Sequence, residues 1–137
     1  MTSKIKYKKA IILGGSSGIG KAISKSIRSI CTEIFPCSRK DIDTSDLESV
    51  NNFIKKHKST DVLLFNSGGP PAVDFNKITK AQWDKYHNQL FYSFCLMLQK
   101  MKINKGGYIF YISSLAIKQP SSKIIISTAY RTAFSSV

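Results

Sequence analysis

The stretch from Gly14 to Gly20 reads GGSSGIG, with an apolar run just before it and an amphipathic run just after it. Glycine at positions 14, 18 and 20 lets a backbone turn sharply and approach a pyrophosphate, which then rests on the N–H groups that open the following helix. Ser16 and Ser17 add hydroxyl donors, and Ile19 belongs to the same turn. The chemistry that this spacing fits is the binding of a dinucleotide. A site for NAD(H) places Asp or Glu about 20 residues beyond such a turn, at the end of the second strand, to hold ribose hydroxyls. Here that position reads Ser38-Arg39-Lys40. A guanidinium suits a 2′-phosphate dianion, so NADP(H) is expected over NAD(H). Asp41 stands slightly too far along to act as the acid unless the turn is shifted.

Such residues need a strand before the turn and a helix after it. Lys8–Leu13 ends in a continuous apolar run, as a strand buried on both faces does. After the turn, Ile19, Ala22, Ile23, Ile27 and Ile30 share one helical face, with lysine and serine opposite. Glu33–Ser38 reads as a second strand; its Pro36 cannot donate to a ladder and so belongs on an edge or at a bulge. Capping residues from Asp43 onward lead into a helix with Leu47, Val50 and Ile54 on one face and Phe53 beside them. Asp61–Asn66 is another buried strand, ended by SGGPP. Thr79-x-x-Gln82 has the form of a capping box and opens a long helix to about Lys102, apolar nearly all round from Leu90. Gly106–Ser113 reads as a turn and a fourth strand, and a further helix begins near Ser127. The alternation predicts an α/β fold, a Rossmann-like doubly wound parallel sheet with right-handed crossovers. A chain of 137 residues is expected to form a single dinucleotide-binding domain, residues 1–137, with residues 1–7 as a flexible basic tail.

Composition narrows the function. With 42% apolar residues the chain reads as globular. No Arg-flanked apolar leader precedes the first strand, and Leu90–Met101 is too short and interrupted to span a bilayer. Cys31, Cys37 and Cys95 include no CxxC pair, which suggests reduced thiols in a cytoplasmic protein and no metal site. His57 and His87 are isolated. The net charge of +13 comes from 18 Lys and 3 Arg against 8 acids, scattered along the sequence. Nucleic-acid readers rely on arginine forks, clustered patches and exposed aromatics, so a nucleic-acid partner is not expected.

Four motifs in order resemble the short-chain dehydrogenase/reductase family. That family marks its cofactor turn with TGxxxGIG; GGSSGIG is similar to it, without the threonine. Asp43-Thr44-Ser45-Asp46 resembles the segment that flanks the adenine, and Asn66-Ser67-Gly68-Gly69 resembles the family's NNAG. GGYIFYISS resembles its GGxIvxiSS strand, with Ser114 at the catalytic serine position. The NSGGP and IKQP variants are similar to a branch labelled 3-oxoacyl-carrier-protein reductase-like, where the usual tyrosine is missing. The resemblance implies an NAD(P)-dependent oxidoreductase that reduces a carbonyl or oxidises an alcohol. It implies cofactor contacts from Gly14, Ser16, Ser17, Gly18, Ile19, Gly20, Arg39, Asp43, Asn66, Ser67, Gly68 and Arg131.

The chain departs from the family in three places. Between CSRK and DTSD there is no room for the usual extra helix and strand, which would leave the second strand at the sheet edge, in keeping with Pro36. Complete members run roughly a hundred residues beyond Val137, so the fold is expected to be truncated at its C-terminal side. The family's relay tyrosine and lysine align with Ser127 and Arg131, which leaves Ser114, Ser127 and Arg131 as the catalytic set. Tyr130 cannot stand in, because adjacent helical residues point about 100° apart. The family's helix asparagine falls at Leu90 counting from Trp83 and at Tyr86 counting back from Ser114; Asn88 fits neither register. A catalytically impaired dinucleotide-binding protein is the alternative reading. The expected partners are a small-molecule substrate and a second copy of the chain, the latter through the apolar edge of the GYIFYIS strand and the helix flank of Leu90, Phe94, Met97 and Met101.

Overall fold

A computed structural model describes residues 5–137. Strands β1 (Tyr7–Leu13), β2 (Cys31–Cys37), β3 (Ser59–Phe65) and β4 (Lys102–Tyr111) form one parallel sheet in the order β2-β1-β3-β4. The expected doubly wound α/β fold is present. Helix α1 (Gly18–Ser26) joins β1 to β2, and α2 (Leu47–Lys56) joins β2 to β3. Helix α3 (Lys80–His87), a π turn (Asn88–Tyr92) and α4 (Ser93–Lys100) run without a break between β3 and β4, and α5 (Ile125–Ser135) follows β4.

The continuous apolar runs are explained by burial on both faces of the two central strands. Ala10, Ile12, Val62 and Leu64 face Ile23 and Ile27 of the α1 side. Ile11, Leu13, Leu63 and Phe65 face Val50 and Phe53 of α2, Phe94 and Met97 of α4, and Phe134 of α5. Each such side chain larger than alanine contributes about 1.5–3 kcal/mol on leaving water. With α1 on one face and the other helices on the opposite face, the winding reverses between β1 and β3. A crevice opens at the C-terminal ends of the strands at such a switch point. Pro36 lies on edge strand β2, opposite Ile12, where its missing N–H costs no ladder bond.

Several expectations need correction. Ile19 is 60% exposed and Ala22 is exposed, because the first turn of α1 stands clear of the sheet; the packed face is Gly20, Ile23, Ser24 and Ile27. The chain leaves α1 at Ser26 through a 3-10 turn, not at Ile30. The expected tail of residues 1–7 lies outside the described residues over 1–4. At its other end it is sheet: the N–H groups of Lys6 and Tyr7 both donate to Ile30 O at 2.9 Å, and Tyr7 opens β1. Leu90, Phe94, Met97 and Met101 are buried in the core, so this flank offers nothing to a second copy. Tyr108, Ile109 and Phe110 of the edge strand β4 are each about half exposed.

β4 also starts earlier than Gly106. It pairs with β3 from Lys102, leaves the ladder at Asn104–Gly107 opposite Asp61, and rejoins at Tyr108. The Asp61 carboxylate holds this detour together, accepting from Asn104 Nδ2 (2.7 Å) and from the backbone N–H groups of Lys8 (2.6 Å) and Lys9 (2.8 Å). The lysines that look scattered in the sequence are gathered by the topology. A parallel sheet brings strand starts and helix ends to one edge, and Lys6, Lys8, Lys58 and Lys102 meet Lys25, Lys55, Lys56 and Lys100 there. Cations in the last turn of a helix complement its dipole. No described helix is long and apolar enough to cross a membrane.

Candidate dinucleotide site

The turn after β1 is shaped by close approach. A Cβ on Gly20 would lie 2.2 Å from Gly14 O, so only glycine lets α1 seat against the turn. Gly18 has φ +51°, and a Cβ there would meet nothing within 4 Å, so the space in front of the helix is open. Ser17 stands at the N-cap without a side-chain bond to the helix, and the first turn of α1 carries no acid. The leading N–H groups of α1 therefore face outward uncapped, as anion binding requires. Ser16, Ser17, Gly18 and Ile19 are all exposed at this point, and Gly14 lies behind them with φ +62°.

Beside the turn lies a cavity of about 290 Å³. Gly14 and Leu13 form one wall, Ser38, Arg39, Ile42, Asp43 and Thr44 a second, and Asn66–Gly69 with Tyr86 and Gln89 a third. Asp41 takes no part in it. Its Oδ2 accepts from the backbone N–H and the hydroxyl of Ser38, both at 2.7 Å, and these bonds hold its carboxyl below the usual range. The shifted turn that would bring Asp41 in is absent, and Arg39 keeps the position. Its side chain is exposed, with Nε 3.5 Å from Asp43 Oδ2. Burial works to raise the Asp43 pKa, but hydrogen bonds from Ser45 N–H and Oγ and the charge of Arg39 outweigh it and hold the group below the usual range.

Asn66 closes the back of the site with a long contact from Nδ2 to Gly14 O (3.5 Å). Gln89, which no motif in the sequence marks, holds the loop in front. Its Nε2 donates to Gly68 O (2.8 Å) and Ser67 Oγ (3.2 Å). Ser93 Oγ donates to Thr44 O (2.6 Å) and ties α4 to the opposite wall.

The catalytic set expected from the sequence lies behind the Ser67–Gly69 wall of this cavity, where a Cβ on Gly69 would lie 3.4 Å from Ser127 Oγ. Ser114 Oγ accepts from Ala116 N–H (3.2 Å), which caps a short 3-10 turn. Arg131 is 8% exposed and donates from Nε to Ser127 Oγ (3.0 Å), from Nη1 to Ile112 O (3.1 Å) and from Nη2 to Ser67 O (2.9 Å). It thereby joins the ends of β3 and β4 to α5. Among the described residues no carboxylate pairs with it. Neither Arg131 nor Ser114 nor Ser127 lines the cavity. Tyr130 turns away, its Oη donating to Trp83 O (3.2 Å) and its ring packed on Trp83 and His87.

No protein-family model matches the chain, and no curated protein matches it. Solved structures do. A small-chain dehydrogenase aligns over 94% of this chain and 72% of its own, with 23% identity and a TM-score of 0.82. A small-chain dehydrogenase in complex with NADPH aligns over 94% and 61%, with 23% identity and a TM-score of 0.79. L-Sorbose reductase from Gluconobacter frateurii, complexed with NADPH and L-sorbose, aligns over 98% and 62%, with 19% identity and a TM-score of 0.73. The chain shares the Rossmann-like α/β fold of these structures. It spans 61% to 72% of the length of these three proteins. In that fold the glycine turn and the cavity occupy the C-terminal edge of β1, β2 and β3, where the winding reverses.

Proposed function

We propose that the chain binds NADP(H) in this cavity and belongs to an oxidoreductase that reduces a carbonyl or oxidises an alcohol of a small molecule. The observation that carries the reading is the uncapped N-terminus of α1, open at Gly18 and adjoining a cavity whose rim holds Arg39 rather than an acid. The cofactors in the two NADPH-bound structures of this fold support it. The cradle suits the group: a pyrophosphate needs outward N–H groups and a missing side chain, and both are present at Gly18. When bound, the nicotinamide exchanges a hydride with the substrate.

The chain's own residues would bind and orient. Gly14, Ser16, Ser17, Gly18, Ile19 and Gly20 would hold the pyrophosphate, Arg39 the 2′-phosphate, and Asp43, Asn66, Ser67 and Gly68 the adenosine side. Ser114 would hold the substrate oxygen. Ser127 occupies the relay position, but a serine hydroxyl is a poorer acid than a phenol, and Arg131 stays protonated and cannot pass a proton on. A second reading, a dinucleotide-binding protein with little turnover, is favoured by the three bonds that Arg131 makes to its own chain. Turnover of a simple ketone separates the two. A homo-oligomer through the exposed β4 edge is proposed on Tyr108, Ile109 and Phe110.

Calorimetric titration tests the cofactor. NADPH should bind at one site about tenfold or more tighter than NADH, a difference of about 1.4 kcal/mol, and Arg39→Ala should erase that preference. Tighter binding of NADH, or an unchanged preference in Arg39→Ala, would refute it.

A further inference from the structure

Two features that nucleic-acid binding relies on, a clustered basic patch and exposed aromatic rings, are missing from the sequence order and present in the fold. The lysines gathered where strands begin and helices end are all exposed, and Arg28 and Lys105 extend the patch. Among the described residues none of these cations forms an ion pair. The acids that share this edge are Glu33 and Asp61, and the Asp61 carboxylate is already engaged by Asn104 and by the backbone of Lys8 and Lys9. The remaining acids follow the C-terminal ends of β2 and β3. Charge is therefore divided along the strand direction, with the cations left uncompensated at one end.

The rings lie beside those cations. Helix α1 packs over β1 and β2, and on the same side of β4 Tyr108 and Phe110 are each 49% exposed. Their ring centroids are 6.0 Å apart and their planes meet at 22°. Together with Tyr7, Ile27 and Val62 they line an apolar hollow of about 230 Å³. Lys6 joins the hollow to the basic edge: its Nζ lies 5.3 Å from the ring centroid of Tyr7 and 5.8 Å from that of Tyr108.

Proteins that hold single strands combine a positive track for phosphates with ring faces on which bases stack. A duplex keeps the faces of its bases covered, so it meets the track alone. A bilayer calls for apolar groups that project, whereas Tyr108 and Phe110 border a recess. Lysine is a point charge without the fork that reads base edges, so such a surface has no means of selecting a sequence. We propose that this edge binds single-stranded nucleic acid without sequence preference, with phosphates on the lysines and bases on Tyr108 and Phe110. The surface lies at the end of the sheet opposite the dinucleotide cavity and does not depend on the NADP(H) reading.

The test is fluorescence anisotropy of a labelled single strand of about 12 thymidines, and of its duplex, titrated with the chain across a salt series. The single strand should bind about tenfold or more tighter than the duplex, and log Kd should rise with log salt at a slope of about 2 or more. Tyr108→Ala with Phe110→Ala should weaken the single strand by about tenfold or more and leave the duplex unchanged. Lys6→Glu with Lys102→Glu should weaken both and lower the single-strand slope by about 1. All four side chains are exposed, and the urea midpoint checks that each variant is folded. Should the alanine pair fail to fold, Tyr108→Leu with Phe110→Leu, which keeps the apolar contact and removes the rings, gives the same readout. No binding of the single strand at low salt overturns the proposal, as does equal affinity for strand and duplex. Binding indifferent to the loss of both rings overturns it and leaves a general polyanion surface. Binding to vesicles of mixed phosphatidylcholine and phosphatidylserine, with none to the strand, overturns it in favour of a membrane surface. Displacement of the strand by NADPH would put it in the dinucleotide cavity and overturn the proposal too.

Discussion

At the β1–β2 end of the crevice, Arg39 is exposed and Gly18 opens onto free space. Toward β4 and α5, Arg131 is buried and its donors go to Ile112 O, Ser67 O and Ser127 Oγ. The first region keeps hydrogen-bonding capacity that folding has left unmet. In the second, Arg131, expected from the sequence to clamp a cofactor, links two strands and a helix. A resemblance in sequence treats both regions alike, as motif positions filled or substituted. Their geometry separates a site still open to a ligand from one whose polar groups already serve the fold.

The largest expected effect comes from reopening the second region. Ser127→Tyr with Arg131→Lys rebuilds a phenol and an ammonium four residues apart on α5, and NADPH-dependent reduction of a simple ketone should rise by roughly 10²–10⁴. Ser114→Ala in that background should cancel the gain. Brisk wild-type turnover that is indifferent to Ser127→Ala would break the comparison.

Next comes the link itself. Arg131→Met leaves two part-buried carbonyls without their donor and should lower stability in urea by about 1–3 kcal/mol, while NADPH affinity of the folded protein stays nearly constant. A lost affinity with unchanged stability would instead make Arg131 a cofactor clamp. In the open region, Gly18→Val forces a β-branched residue to φ +51° and fills the space before α1. The backbone strain costs about 1–3 kcal/mol, and NADPH binding should weaken by about tenfold or more.

The smallest effect belongs to a control at the opposite edge of the sheet. The hydrogen bond from Asn104, then those from the backbone of Lys9 and Lys8, hold the Asp61 carboxyl below its ordinary range. A carboxyl lowered in the folded state stabilises the fold above its unfolded pKa, and that contribution is lost as pH falls through the folded value. Because solvent screens a carboxyl this exposed, Asp61→Asn should cost less than about 1 kcal/mol near neutrality and flatten the acid limb of the stability curve, with NADPH binding untouched. An equally steep acid limb in the variant would show that other carboxylates carry it.

What the sequence reveals follows from how local each signal is. The turn at Gly14–Gly20 and the edge position of Pro36 are legible because glycine approach and a missing N–H are properties of single residues. Gln89 is not legible. The π turn adds one residue to the helix without a compositional sign, and counts from Trp83 and Ser114 land on Leu90, inside it, and on Tyr86, before it. The pairing of Ser127 with Arg131 can be read from their i,i+4 spacing, and the bond is 3.0 Å. The other partners of Arg131 are main-chain oxygens 64 and 19 residues away, which carry no residue identity. The basic edge emerges only when the topology brings strand starts and helix ends together.

Amide hydrogen exchange with and without saturating NADPH compares the two regions in one experiment. Protection should appear over Gly14–Gly20, Ser38–Thr44, Asn66–Gly69 and Tyr86–Gln89, with little change over Ile112–Ser114 and Ser127–Arg131. Protection centred on Ser127–Arg131, or none at Gly14–Gly20, would contradict the division of the crevice into an open cofactor end and a closed relay end.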